Sequence, residues 1–190
     1  MTKHFDSHSS LQQRLMKGIN ILADNVASTL GPKGRNVILH RKNQNPIITK
    51  DGVTVAKFIE SDDPIQNVGM QILKQASEQT NINAGDGTTT ATVLARAIYK
   101  ETQKYIVAGS SPIELKKGID KAVDALIKNI ESISVPISSV EDINHIATIS
   151  ANGDQTIGSL ITMAIDQAGK DGAITIEEAR STETSLDVVE

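Results

Sequence analysis

Apolar residues at Leu11, Leu15, Ile19, Leu22, Val26 and Leu30 recur at spacings of three and four, a period that lays them along one face of an α-helix. Gly31-Pro32 ends the run, because proline cannot continue the hydrogen-bond ladder. The same period returns further on. Asp62-Asp63-Pro64 opens a helix whose buried face is predicted to be Ile65, Val68, Ile72, Leu73 and Ala76. Proline is tolerated in a first turn, and acids there suit the positive end of the helix dipole. Another helix follows a threonine run and passes through Val93, Leu94, Ala97 and Ile98. Ser111-Pro112-Ile113-Glu114 reads as a capping box, starting a helix predicted to bury Leu115, Ile119, Ala122, Leu126 and Ile130. Aromatic residues are only 2% of the chain, so its core must be built from Ile, Val, Leu and Ala.

Two stretches break the helical pattern. Asn36–His40 is short and β-branched and reads as a strand; Asn43–Pro46 is turn chemistry; Ile47–Thr49 is predicted to pair back as a hairpin. Beyond Pro136 the character changes. Two shorter helices are expected, roughly Val140–Ser150 and Asp154–Ala168, then a turn at Gly169–Gly172 and strands at Ala173–Glu177 and Ser185–Val189. This places a domain boundary near Pro136, with a mostly helical part before it and a small α/β piece after it. Leu186–Glu190 stops in mid-strand, which leaves edge groups that more chain would pair.

Bulk properties exclude several classes. The chain has 190 residues, enough for one ordinary domain or one and part of another. A net charge of −4 gives no sign of a nucleic-acid or anionic-membrane surface. Cysteine is absent, which removes disulfides and thiolate metal sites and fits a reducing compartment. No run approaches the length of a membrane-spanning helix, and Met1–Ser10 is too polar for a signal peptide. A soluble cytoplasmic protein is expected.

The strongest chemical signal is Gly85-Asp86-Gly87-Thr88-Thr89-Thr90 at a helix start. Glycines let backbone approach a ligand closely, the free N–H groups of a helix N-terminus attract an anion, and threonine hydroxyls add rotatable donors. Asp86 sits where a carboxylate would meet a divalent metal bridging phosphates. The stretch thus reads as a site for phosphate and Mg²⁺. A plain glycine turn with threonine caps explains the same residues equally well. No Walker A pattern occurs. Thr29–Arg35 is a second glycine loop with basic residues alongside, more often only a helix ending. Thr49-Lys50-Asp51-Gly52 comes third. Physically, its Asp-Gly would be a hairpin turn pairing Ile47-Ile48 with Val53–Val55; functionally, it exposes a lysine and an aspartate at a strand end.

Thr29–Val37, Ile48–Ala56, Ala84–Ala95 and Ile149–Asp154, taken in order and spacing, resemble the group I chaperonins, the GroEL family. The block Gly85–Thr90 is shared with group II; Lys33–Asn36 and Ile149–Asn152 point to group I. The similarity runs from about Leu11 onward. It implies a mainly α fold: residues 1–133 as the N-terminal part of an equatorial domain, a helical bundle with a β-hairpin, then residues 134–190 as the first half of a small α/β intermediate domain. The apical domain and the C-terminal segments would lie beyond the chain's end. The resemblance also turns the segment after Asp51-Gly52 toward helix instead of strand.

The implied activity is ATP-dependent protein folding, with ATP or ADP, Mg²⁺ and K⁺ as cofactors. Thr29, Leu30, Gly31 and Pro32 match the loop along the nucleotide phosphates, and Lys50 the lysine near the phosphates and the monovalent cation. Asp86 matches the Mg²⁺ ligand, and Gly87, Thr88, Thr89 and Thr90 the phosphate-cradling turn. Asp51 matches an acid near the γ-phosphate implicated in hydrolysis. Thr29, Lys50 and Thr89 resemble the K⁺ site. The family's base pocket, water-activating aspartate and apical surface, which grips unfolded clients and the co-chaperonin lid, belong to parts beyond this sequence. Lys3–Ser10 and His40 depart from the family pattern near the contacts of its homo-oligomeric double ring. Nucleic acid and membrane are not expected partners.

Overall fold

Helix capping and helix-face periodicity account for most of the architecture. In the computed structural model, which describes residues 8–169, 172–177 and 186–187, the order is α1 (His8–Ala27), β1 (Val37–Leu39), β2 (Ile47–Thr49), α2 (Gly52–Phe58), α3 (Pro64–Ala84), α4 (Thr88–Val107), α5 (Pro112–Ile133), α6 (Val140–Ser150) and α7 (Gln155–Ala168). The fold is mainly helical with one β-hairpin, as the sequence predicts. The chain divides into two compact units, Met1–Ala122 and Val123–Glu190, with α5 running across the division.

In the first unit, Ile19, Leu22, Ala23 and Val26 of α1 are fully buried with Leu39, Val55, Ala56, Met70 and Leu73. The central contact is α1 against α3, and glycine sets its closeness. A Cβ on Gly18 would lie 2.0 Å from the Gln66 carbonyl oxygen, and one on Gly69 would lie 2.3 Å from that of Leu15. The approach rotates α3 relative to the predicted face. Ile65 and Leu73 are buried and Ala76 half-buried, but Val68 and Ile72 are exposed, and Gly69, Met70 and Ser77 turn inward. Asp63 caps α3 through Ile65 N–H at 2.9 Å, and Arg14 of α1 donates to both its oxygens, at 3.0 and 2.6 Å. The guanidinium, aided by these N–H donors, holds the Asp63 carboxyl well below the usual carboxylate range.

Strands β1 and β2 pair antiparallel with Val37 opposite Thr49, and Asn43 takes the left-handed conformation in the turn, φ 65°. Residues 52–58 are helix, so the Asp-Gly hairpin suggested by local turn chemistry does not form. Asp51 instead starts a helix, because its carboxylate accepts N–H groups from the next turn. The face predicted to be buried on α5 is another correction. Leu115 and Ile119 are half-buried, but Ala122, Leu126 and Ile130 are exposed. The start of its amphipathic stripe shares a groove with Ala97, Ile98 and Tyr105 of α4, and from Ala122 onward the stripe is exposed. Glu114 pairs with Lys117 at 2.9 Å instead of closing the predicted capping box.

The second unit contains the hairpin of α6 and α7. Ser139 accepts the Asp142 N–H at 3.1 Å, and the Asp142 carboxylate accepts the Ser139 N–H at 3.0 Å, a reciprocal capping box. Asn152 and Gly153 turn the chain with φ 57° and 87°, and Asp154 caps α7 through Thr156 and Ile157 N–H. Residues 173–177 carry no regular secondary structure, against the predicted strand. An extended segment becomes a strand only with a ladder partner, and none is present among the described residues. Leu186-Asp187 is likewise irregular. The rest of the predicted strand at Ser185–Val189, Lys170-Asp171 of the predicted turn and Lys3–Ser7 of the N-terminal arm lie outside the described residues.

Candidate functional site

The end of α1, the junction of β2 with α2, and the turn from α3 to α4 meet in the first unit. At the end of α1 the Thr29 hydroxyl donates to the Val26 carbonyl at 2.8 Å, which holds this threonine buried. The loop then closes on itself: Gly34 N–H donates to Gly31 O and Arg35 N–H to Ser28 O, both at 2.9 Å. Gly31 has φ 70°, and a Cβ on Gly34 would lie 2.2 Å from the Thr29 carbonyl oxygen. This loop needs glycine for its shape, a requirement the sequence shows only as composition.

The hairpin carries the second segment alongside, since Val37, just past this loop, pairs with Thr49. Thr49 Oγ1 accepts the Asp51 N–H at 3.0 Å. Asp51 in turn caps α2, accepting from Thr54 N–H at 2.9 Å and Val53 N–H at 3.4 Å, and also from the Thr54 hydroxyl. Its carboxylate is thereby held in one orientation. Gly52 follows in close contact with α4: a Cβ there would lie 2.2 Å from Thr89 Oγ1.

The third segment bends through two left-handed glycines, Gly85 at φ 71° and Gly87 at φ 80°. Between them Asp86 is exposed and accepts the Gly87 N–H at 2.6 Å. Gly87 is the N-cap of α4 and has no side chain to satisfy the helix. Side chains of Asp51, Asp63, Ser139 and Asp154 cap α2, α3, α6 and α7. The first-turn amides of α4 at Thr88, Thr89 and Thr90 therefore lack both an intrahelical acceptor and a cap, and the dipole adds positive potential there. Thr89 Oγ1 lies 3.3 Å from Thr29 Oγ1.

Thr89 thus touches both Thr29 and Gly52, with Asp51 beside Gly52 and Asp86 in the turn that leads to Thr88–Thr90. Leu30, Gly31, Pro32 and Lys50 are exposed on the adjoining loops, and the Lys50 side chain has no hydrogen bond or ion pair among the described residues. Sequence reasoning missed Gly52 as a contact residue and Asp51 as a helix cap. A cap-type residue directly before Gly52 and the apolar Val53 and Val55 is the signal that could have found the second. Among the described residues no three His, Asp or Glu side chains gather around a common point. No helix among them is long and apolar enough to cross a membrane.

Residues 22–187 match the sequence pattern of the TCP-1/cpn60 chaperonin family. The structure is similar to that of the chaperonin gp146 from bacteriophage EL 2 (Pseudomonas aeruginosa), crystallised in the presence of ATP-BeFx: TM-score 0.68 and 26% identity over 82% of this chain and 28% of that one. It is also similar to a group III chaperonin in the open state, with TM-score 0.68 and 25% identity over 86% of this chain and 33% of that one. The chain therefore spans about a third or less of the length of these two structures. The match covers most of the sequence and includes all three segments that meet at the uncapped start of α4 from Thr29 onward, and on that ground the chain belongs to the TCP-1/cpn60 chaperonin family.

Proposed function

We propose that this chain supplies the phosphate-binding half of the nucleotide site of an ATP-driven folding chaperone, and that it falls in group I of the family. The group assignment is carried by Lys33–Asn36 and Ile149–Asn152. The observation that carries the function is the uncapped N-terminus of α4, with Asp86 in the turn before it and Thr29 and Gly52 packed on Thr89. Unpaired amides at a helix start accept phosphate oxygens readily. The loop Thr29-Leu30-Gly31-Pro32 would lie along the phosphates, with Gly87, Thr88, Thr89 and Thr90 cradling them.

The donor set fits Mg²⁺, which is commonly held by one or two carboxylates together with substrate phosphates and water. Asp86 is that carboxylate in this reading. When bound, the ion neutralises charge building on the transferring phosphoryl group. Thr29, Thr89 and Lys50 are the proposed K⁺ residues. Asp51, oriented by its bonds to Val53 and Thr54, is the proposed acid acting on hydrolysis. Unfolded clients, a co-chaperonin lid and a homo-oligomeric double ring are the partners this reading assigns to the whole protein.

Calorimetric titration of the chain with Mg-ATP tests the reading. Binding that needs Mg²⁺ and weakens in Asp86→Ala is expected. No binding, or binding indifferent to that substitution, overturns it. The exposed stripe on α5, with Leu126 and Ile130 each 59% exposed, favours a second reading, a chaperonin-like interaction protein without turnover. Mg-ATP binding by the whole protein without phosphate release would support that alternative.

A further inference from the structure

The most deeply buried lysine described lies outside this junction. Lys74 projects from the middle of α3 and is 6% exposed. Its Nζ donates to the Lys57 carbonyl at 3.3 Å, and Lys57 is the next-to-last residue of α2. Carbonyls in the last turn of a helix have no intrahelical donor, and a cation there also meets the negative end of the dipole. Lys74 therefore closes the C-terminal end of α2 as Asp51 closes its N-terminal end.

The surroundings point the same way. Burial, the largest influence, pulls the Lys74 pKa below the ordinary lysine value, while Glu60 and Glu78 favour its charged form and Arg41 opposes it. Arg41 pairs with Glu60 at 3.3 Å and stands 4.9 Å over the Phe58 ring, so the end of the hairpin is gathered to the same point. A methionine would fill this volume without the desolvation that an ammonium suffers. A helix of seven residues is far too short to be stable alone; Val55 and Ala56 anchor it in the core, and Asp51 and Lys74 hold its two ends.

We propose that Lys74 is a positioning residue for the phosphate site: by fixing the C-terminal end of α2 to α3, it fixes where Gly52 meets Thr89. The role deepens the nucleotide reading and rests on it. From Lys74, α3 continues ten residues to Ala84, about 15 Å at the helical rise, and delivers Gly85-Asp86-Gly87. The same helix thus bears on both α2 and the turn that carries Asp86, with Lys74 as its hydrogen-bonded link to the end of α2.

The test compares the full chain with Lys74→Met and with Ile65→Ala, a buried change at the start of α3 outside the main core cluster. Amide hydrogen exchange and Mg-ADP titration are measured on each under conditions where all are folded. In Lys74→Met, protection at Val53–Val55 is expected to fall roughly ten-fold or more relative to α1, the scale of one lost hydrogen bond to a charged group, and Mg-ADP binding to weaken with it. Ile65→Ala is expected to lower protection without singling out α2 and to leave affinity unchanged. Lys74→Gln, polar but uncharged and too short to keep the 3.3 Å bond to the Lys57 carbonyl, serves if the methionine variant loses its fold, with loss in the same direction. Unchanged α2 protection, or unchanged affinity in a Lys74 variant when the wild type binds, overturns the role of Lys74 alone. Failure of the wild type to bind Mg-ADP overturns the nucleotide reading and this role with it.

Discussion

Asp51 combines two duties in one carboxylate: it caps α2, and in the proposed site it faces the phosphates. The two separate by substitution. Asp51→Ala removes cap and charge together and is expected to cost about 1 kcal/mol of stability. Asp51→Asn keeps a side chain nearly as good at capping, so urea unfolding should match wild type within a few tenths of a kcal/mol (on the order of 0.3), while phosphate release by the whole protein falls. Equal destabilisation by both would show that the charge, not the cap, matters to the fold. Gly52 is a second residue-scale case. In Gly52→Ala the new methyl would stand 2.2 Å from Thr89 Oγ1, so Thr89 must move away from Thr29. Titration with Mg-ADP should then show weaker binding at little loss of stability; unchanged affinity would deny that this contact shapes the site. The sequence named Thr29, Asp51 and Asp86–Thr90 as candidates through motif and resemblance. It did not reveal Gly52, because a close approach between α2 and α4 leaves no local pattern.

At the scale of elements, apolar period located the helices well and their faces less well. Val68 and Ile72 keep the helical spacing yet stay exposed. The α1–α3 contact is set instead by Gly18 and Gly69, which a count of apolar side chains overlooks. Gly69→Ala is therefore expected to destabilise the first unit by about 1–3 kcal/mol through overpacking, measured by urea unfolding, although alanine is the better helix former. A stability at or above wild type would mean the contact is looser than its geometry. In the second unit, N–H and hydroxyl donors of Ser138 and Ser139, led by the Ser138 N–H, lower the Asp142 pKa. A depressed folded pKa contributes stability that is complete above the unfolded value of about 3.9 and is lost as pH falls through the folded one. Amide exchange at the start of α6 should thus quicken selectively on acidification below about pH 4, and Asp142→Asn should lose that dependence. A uniform pH response along α6 would contradict it.

For the whole molecule, the mainly helical class, the hairpin of β1 and β2 and six of the seven helices of the described residues follow the sequence closely, because capping and period are local; α2 is legible only through the family resemblance, since local turn chemistry makes it a strand. The predicted strands after Pro136 depend on pairing partners, and that dependence cannot be read from their own residues. The α5 stripe is similar: its amphipathic period is plain in the sequence, but Leu126 and Ile130 remain exposed. Leu126→Ser with Ile130→Ser is expected to reduce binding of a hydrophobic dye without lowering the unfolding midpoint, as suits an exposed apolar patch; a marked loss of stability would place these residues in a core. The proposal that three distant segments form one phosphate site is tested most directly by backbone amide shifts on titration with Mg-ADP. Shifts concentrated at residues 29–34, 50–54 and 85–90, and lost in Asp86→Ala, are the expected result. Shifts confined elsewhere, or none at saturating nucleotide, would contradict it.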